Sequence, residues 1–319
     1  MDDSLQSPEK DTISSQLASS PEQQMRDDRQ VPPLKEDGYE PSEEETAVYI
    51  HMPDGWRAMG LSIRGLQHCE EGRYRDDACV ISACESWFLA SVADGAGSAK
   101  QSRLGAREAC LGAVRYIEEN IRALQDVPVE QQLRELLFNG MAAAIDQVQH
   151  YADSTGLTMH DLATTLLLIA HHHQPDGNQI LATAQIGDGS IAAFTANVDG
   201  TLLYHELARP DEGDFGGGTI FLSQVPPQEW HERIQVFSLP KSTAGIMLLT
   251  DGISDAFKPQ AKHLWQFMQF MQRHVITQVD ESSTIERLRQ AINFSFPALR
   301  DDRTIVLIHP PQEEASQHD

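Results

Sequence analysis

No window of this 319-residue sequence approaches the roughly 20 consecutive apolar residues that a membrane helix needs. The longest apolar runs, such as Leu166 to Ala170, have the length of a strand. The N-terminus, Met-Asp-Asp, lacks the basic-then-apolar order of a secretory leader. Cysteine is scarce. Cys69, Cys79, Cys84 and Cys110 make neither a CxxC pair nor a zinc-finger spacing with histidine. A disulfide framework is therefore not expected, and the thiols read as reduced, mostly buried groups of a cytoplasmic protein. Positive charge is also in short supply: 24 Lys and Arg stand against 48 Asp and Glu, for a formal net charge of −24. Such a chain is repelled by nucleic-acid backbones and anionic membrane surfaces, so neither is an expected partner. No internal repeat is found.

What is present divides unevenly. Residues 1–47 carry 13 Asp and Glu, 4 Lys and Arg, five prolines and few large apolar side chains. A segment of that composition cannot bury enough surface to offset its ordering entropy, and a disordered acidic tail is expected. Residues 48–311 read as one domain, with 312–319 a polar C-terminal tail. Short β-branched or aromatic runs bounded by Gly and Asp turns predict strands at Met59–Ile63, Ala78–Ala83, Trp87–Val92, Leu166–Ala170, Ile180–Ile186, Ile191–Phe194, Ile246–Leu249 and Thr304–Ile308. Helical patterns cover Ser98–Glu119, Val129–Tyr151, Gln260–His274 and Ser282–Phe294, the last with Ser283 and Glu286 at capping-box spacing. Strands and helices come in blocks, which predicts an α+β layered domain rather than a doubly wound sheet. The stretch 205–230, with Gly216-Gly217-Gly218 and Pro226-Pro227, reads as an irregular, flap-like insertion. His171-His172-His173 reads as a solvated strand end rather than a metal site. Phe267, Phe270 and Met271 share a helical spacing that belongs to a core.

Four aspartate turns carry the chemistry. Arg75-Asp76-Asp77-Ala78 precedes a strand, Asp94-Gly95-Ala96-Gly97-Ser98 follows one, Thr250-Asp251-Gly252 with Asp255 follows another, and Asp301-Asp302-Arg303-Thr304 leads into the last. An aspartate at a strand end is held by a rigid sheet yet points into solvent. Hard cations such as Mg²⁺ or Mn²⁺ take carboxylate, carbonyl and water oxygens. A following glycine lets the backbone approach an ion. Any one Asp-Gly is more often plain turn chemistry, and Gly187-Asp188-Gly189 reads as a hairpin turn between two strands.

In order and flanking sequence these motifs resemble the PPM (type 2C) metal-dependent protein phosphatases, in the variant of bacterial relatives. Ala163-Thr164-Thr165-Leu166 and Ile186-Gly187-Asp188-Gly189 add to the likeness, which spans roughly Met59 to Ile308. The resemblance implies a four-layer αββα sandwich of two antiparallel sheets flanked by helices. It implies a phosphoserine/phosphothreonine protein phosphatase that hydrolyses phosphomonoesters by attack of a hydroxide bridging two Mn²⁺ or Mg²⁺ ions. Asp77, Asp94, Asp251 and Asp301 would hold the pair, with Asp94 bridging and Gly95 adding its carbonyl. Asp255 would serve a weaker third ion, and Asp161 could join it. Arg73 is nearest in spacing to the phosphate-clamping arginine, with Arg75 and His68 as alternatives. Where many eukaryotic members have a general-acid histidine, this chain has Ala96. That departure keeps open an alternative, a catalytically weak or inactive module that binds a phosphoprotein. The expected partners are a phosphorylated Ser/Thr protein and an opposing kinase in a signalling role, met by a monomer.

Overall fold

The structure is a computed structural model, and it describes residues 32, 34–124, 130–174, 176–211, 218–278, 280–294 and 300–311. Its core follows from strands that are apolar on both faces. In β5 (Leu166–His173), Leu166, Leu168 and Ala170 face one layer while Leu167 and Ile169 face another. In β11 (Arg303–His309), Ile305 and Leu307 alternate with Val306 and Ile308 in the same way. The period-two alternation of a strand sends successive side chains to opposite faces. Continuous apolar runs therefore require cover on both sides, and the fold supplies it in four layers.

One sheet holds six strands in the order β1-β2-β11-β10-β7-β8, where β1 is Glu45–His51, β2 Arg57–Ile63, β7 Ser190–Ala196, β8 Leu202–Glu206 and β10 Thr243–Leu249. The other holds five, β3-β4-β5-β6-β9, with β3 Ala78–Cys84, β4 Trp87–Ala93, β6 Gln179–Ile186 and β9 Ile234–Leu239. Every pairing is antiparallel. Phe88, Ala90, Val92, Ile191, Ala193, Ile246 and Leu248 fill the space between the sheets. After the short α1 (Leu66–Glu71), the long α2 (Ser102–Ile121) and α3 (Glu130–Thr155) cover the five-stranded sheet. Two short helices follow, α4 (Trp230–Arg233) and α5 (Asp251–Ser254). Then α6 (Gln260–His274) and α7 (Glu281–Ile292) cover the six-stranded sheet, with Phe267 and Met271 wholly buried. This is the αββα sandwich that the family resemblance implied. No helix among the described residues is long and apolar enough to cross a membrane.

The eight expected strands are all present, and β1, β8 and β9 are additions. The disordered tail expected over residues 1–47 does not reach residue 47. Residues 1–31 and 33 lie outside the described residues, but from Leu34 the chain is laid onto the domain. Lys35 N donates to Gly72 O, the Asp37 carboxylate pairs with Arg103 at 2.7 Å, and Tyr39 packs on the helical core. Residues 312–319 and, within the flap, 212–217 also lie outside the described residues. The rest of 205–230 is irregular apart from the end of β8, two single 3-10 turns at Leu222–Gln224 and Pro227–Glu229, and the first residue of α4. At α7 the cap is Asp280, whose side chain accepts from Ser283 N at 2.9 Å, rather than a box opened by Ser283.

The histidine run contradicts its reading as a solvated end. His171, His172 and His173 are all buried. His171 bonds Gln179 at 3.0 Å, His173 meets Asp54 at 2.7 Å, and His172 stacks on Trp87 with centroids 4.5 Å apart. Edge residues and tryptophans from neighbouring segments cover this end, which local polarity could not reveal.

Candidate metal centre and active site

Antiparallel register decides where the aspartates go. Ala78 pairs with Ala93, Leu166 with Ile186, Leu249 with both Ser190 and Ile305. The start of β3, the end of β4, the end of β10 and the start of β11 therefore lie at one pole of the sandwich. The residues just outside those strand ends are Asp77, Asp94, Thr250-Asp251 and Asp301-Asp302.

Short polar bonds clamp these corners together. Asp77 is buried, and its Oδ2 accepts from Thr250 Oγ1 at 2.8 Å and Thr304 Oγ1 at 2.7 Å, so one carboxylate ties β3 to the opposite sheet. The Asp94-Gly95 corner is held by the Thr164-Thr165 pair. Thr165 Oγ1 accepts from Asp94 N at 2.8 Å, while Thr165 N and Thr164 Oγ1 both donate to Asp94 O at 2.9 Å. A Cβ on Gly95 would lie 2.7 Å from Asp76 O, so only glycine fits this approach. At Gly252 a Cβ would fall 1.9 Å from Asp302 O, which makes glycine the condition for α5 to sit against the β11 corner. The buried Asp302 is the hub of that corner. It accepts from Gly65 N at 2.6 Å and Asp76 N at 2.5 Å and meets His68 Nδ1 at 2.9 Å.

The electrostatics shows convergence of like charge. Burial first, and then the neighbouring Asp302 and Asp301 charges, hold the Asp77 carboxyl well above the usual range. Asp94 is raised likewise by burial and by Asp77, Asp251 and Asp301. Asp251 is pushed up to about 7 by burial and by Asp188, Asp301 and Asp255. Carboxylates crowded in this way cannot all ionise unless a cation joins them. Asp94, Asp188 and Asp251 each offer a ligand oxygen within 4.8 Å of one another. Asp188 Oδ1 is buried without a hydrogen-bond partner among the described residues, while its Oδ2 accepts from Thr219 Oγ1 at 2.6 Å. An all-oxygen donor set with an orphaned acceptor fits hard divalent cations.

Asp188 corrects the hairpin reading. The Gly187-Asp188-Gly189 turn joins β6 to β7, which belong to different sheets, so it is a crossing between layers that carries its carboxylate into the acidic pole. The signal available in sequence was the pair of glycines around the aspartate. Gly187 adopts φ +113, and a Cβ on Gly189 would lie 2.5 Å from Leu249 O. Asp255 stands beside Asp251 and pairs with Lys258 at 2.7 Å. Asp161 is not brought in: its carboxylate accepts from Thr158 N and Oγ1 in a local turn. Of the candidate clamps, Arg75 is spent on Asp77 O, Ser62 O and Thr46. His68 is buried against Asp302. Burial pulls its imidazole down, but the hydrogen bond and charge of Asp302 outweigh this and leave it above its ordinary value. Arg73 keeps 31% of its side chain exposed, bonds Asp76 at 2.8 Å and reaches Gly97 O at 3.4 Å, at the rim of the site.

With this geometry in place, comparison with known proteins is informative. Serine/threonine-protein phosphatase 3 of Escherichia coli (strain K12) is 28% identical over 207 residues, covering 62% of this chain and 74% of that protein. Serine-threonine phosphatase 2C from Toxoplasma gondii shares the fold with a TM-score of 0.53 and 12% identity, over 83% of this chain and 99% of that one. The serine/threonine phosphatase Stp1 from Staphylococcus aureus does so at 0.50 and 15%, over 83% and 98%. The sequence profile described as Protein phosphatase 2C matches residues 64–292, from the first loop of the site through α7, and the chain belongs to that family.

Proposed function

We propose that this protein is a metal-dependent phosphatase of phosphoserine and phosphothreonine side chains in proteins. The observation that carries the reading is the meeting of Asp77, Asp94, Asp251 and Asp301 from four strand ends, with Asp188 added. Asp77, Asp94, Asp251, Asp301 and the Gly95 carbonyl would hold two divalent ions, and Asp188 with Asp255 would hold a weaker third. Such ions, when bound, neutralise charge on phosphoryl oxygens and make water acidic enough to act as a nucleophile near neutral pH.

The chain's own groups do the positioning. Thr250 and Thr304 fix the orientation of Asp77, and Thr164 and Thr165 fix Asp94. Arg73, anchored by Asp76 at the exposed rim, presents its remaining N–H groups to phosphate oxygens, for which a guanidinium fork is suited. Ala96 contributes no proton, so substrates with poor leaving groups turn over slowly. A scaffold without activity gains nothing from so many unneutralised carboxylates in one cleft, and the family membership favours the enzyme. The reading extends to Mn²⁺ or Mg²⁺ as the ions, and to a cytoplasmic monomer opposing a kinase in signalling. The test is phosphate release from phosphothreonine peptides with Mn²⁺, with Mg²⁺ and with a chelator. Release that is metal-dependent is expected; none under any metal condition would overturn the reading.

A further inference from the structure

Resting on that phosphatase reading, a second feature bears on which phosphoproteins are chosen. Beside the acidic pole, on the side of Asp188, lies a groove of about 1110 Å³ bordered by the edge strands of the two sheets, with Glu206 of β8 and Gln235 of β9 among its lining. It exceeds the roughly 300–1,000 Å³ of a small-molecule cleft and suits a stretch of polypeptide.

The charges of the groove do not cancel internally. Arg233 is held by Asp211, and Lys258 by Asp255. Glu206, Glu229 and Glu232 form no ion pair among the described residues, and Arg209 is the one lining cation in the same position. Among the described lining residues, three carboxylates without an ion pair thus face one such guanidinium.

An independent observation points the same way. Gln185 lines the groove and is 2% exposed. Its Nε2 donates to Gly187 O at 3.1 Å and Gly189 O at 2.8 Å, and those two carbonyls fix the amide orientation. Its Oε1 is left buried with no hydrogen-bond partner among the described residues. A lone buried acceptor is costly until a donor reaches it. We infer that the groove receives a lysine or arginine side chain flanking the phosphorylated residue of the substrate. The Gln185 carbonyl oxygen accepts from the incoming N–H, and Glu206, Glu229 and Glu232 supply the countercharge. The enzyme therefore selects phosphosites in basic sequence.

The test uses the full chain with Mn²⁺, phosphothreonine peptides flanked on either side by Lys or by Glu, and an aryl phosphate with no flank. Basic peptides should show a kcat/KM about fivefold higher, a magnitude set by a few exposed charge pairs. The ratio should shrink between low and high salt, about 0.05 and 0.5 M. It should also fall to about twofold or less in a Glu229→Gln/Glu232→Gln variant, whose substitutions lie on the exposed surface. Equal rates on the peptides in the unaltered protein would overturn the inference, as would a preference that survives both that double variant and Gln185→Leu. Aryl phosphate separates the two readings. Its hydrolysis together with equal peptide rates defeats the groove alone, whereas no hydrolysis of any substrate defeats the phosphatase.

Discussion

The two poles of one sandwich treat titratable side chains in opposite ways, and β5 runs from one to the other. At its first end, Thr164 and Thr165 hold Asp94, which feels the charges of Asp77, Asp251 and Asp301. At its far end, His171 and His173 are more deeply buried than Asp94, Asp251 or Asp301, yet each bonds a neighbour through one ring nitrogen: Gln179 for one, Asp54 for the other, with Trp56 stacked at 4.8 Å on His173. His309, at the same end, bonds the Pro310 carbonyl at 2.7 Å. Burial alone does not mark a functional site. Like charges gathered at one pole do mark one, whereas histidines bonded through one ring nitrogen and packed on aromatic rings are part of the interior.

The contrast can be broken most directly at the acidic pole. Asp94→Asn or Asp251→Asn should lower phosphopeptide turnover by about a thousandfold, the scale of losing a central electrostatic group. In chelator the same variants should melt a few degrees above the unaltered protein, because a repulsive charge is gone. Full activity in both variants would end the assignment, and a fall in melting temperature would show that the cluster is not repulsive.

The poles should also respond to pH with opposite sign in the metal-free chain. Asp251 is raised to about 7 from 3.8, so its contribution is fully present below pH 3.8 and is lost as pH rises through 7. His171 is lowered to about 3 from 6.5 by burial, so its contribution is fully present above pH 6.5 and is lost as pH falls toward 3. Between pH 6.5 and 5 the histidine should cost about 2 kcal/mol of stability. His171→Phe should flatten that acid limb in urea titrations, and an unchanged limb would remove His171 as its source. A cap outside the acidic pole sets the lower bound: Asp280→Ala should cost about 1 kcal/mol, leaving metal response unaltered.

Much of this was legible without coordinates. The eight strands found by pattern alone are those whose apolar runs are bounded by Gly or Asp turns. The three missed, β1, β8 and β9, are edge strands in which burial is partial and the sequence mixed, as in Leu-Leu-Tyr-His-Glu of β8. Asp77, Asp94, Asp251 and Asp301 could be read because each stands at the end of a recognisable strand in a motif that resembles the family's. Asp188 was hidden because a turn between paired strands and a turn between sheets look alike in one dimension. Asp302 was hidden because its work, joining Gly65, His68 and Asp76, is with residues more than two hundred positions away.

Local pattern and residue chemistry by themselves determined an α+β layered domain, most of the strands and the kind of ligand the aspartates would take, since alternation and turn preference act between near neighbours; the αββα order came from the family resemblance. Tertiary structure alone decided which carboxylates share a pole, that Asp161 stays outside while Asp188 enters, and that the histidine run is interior. Burial and mutual repulsion depend on distances through space, and the order of residues along a chain does not contain them.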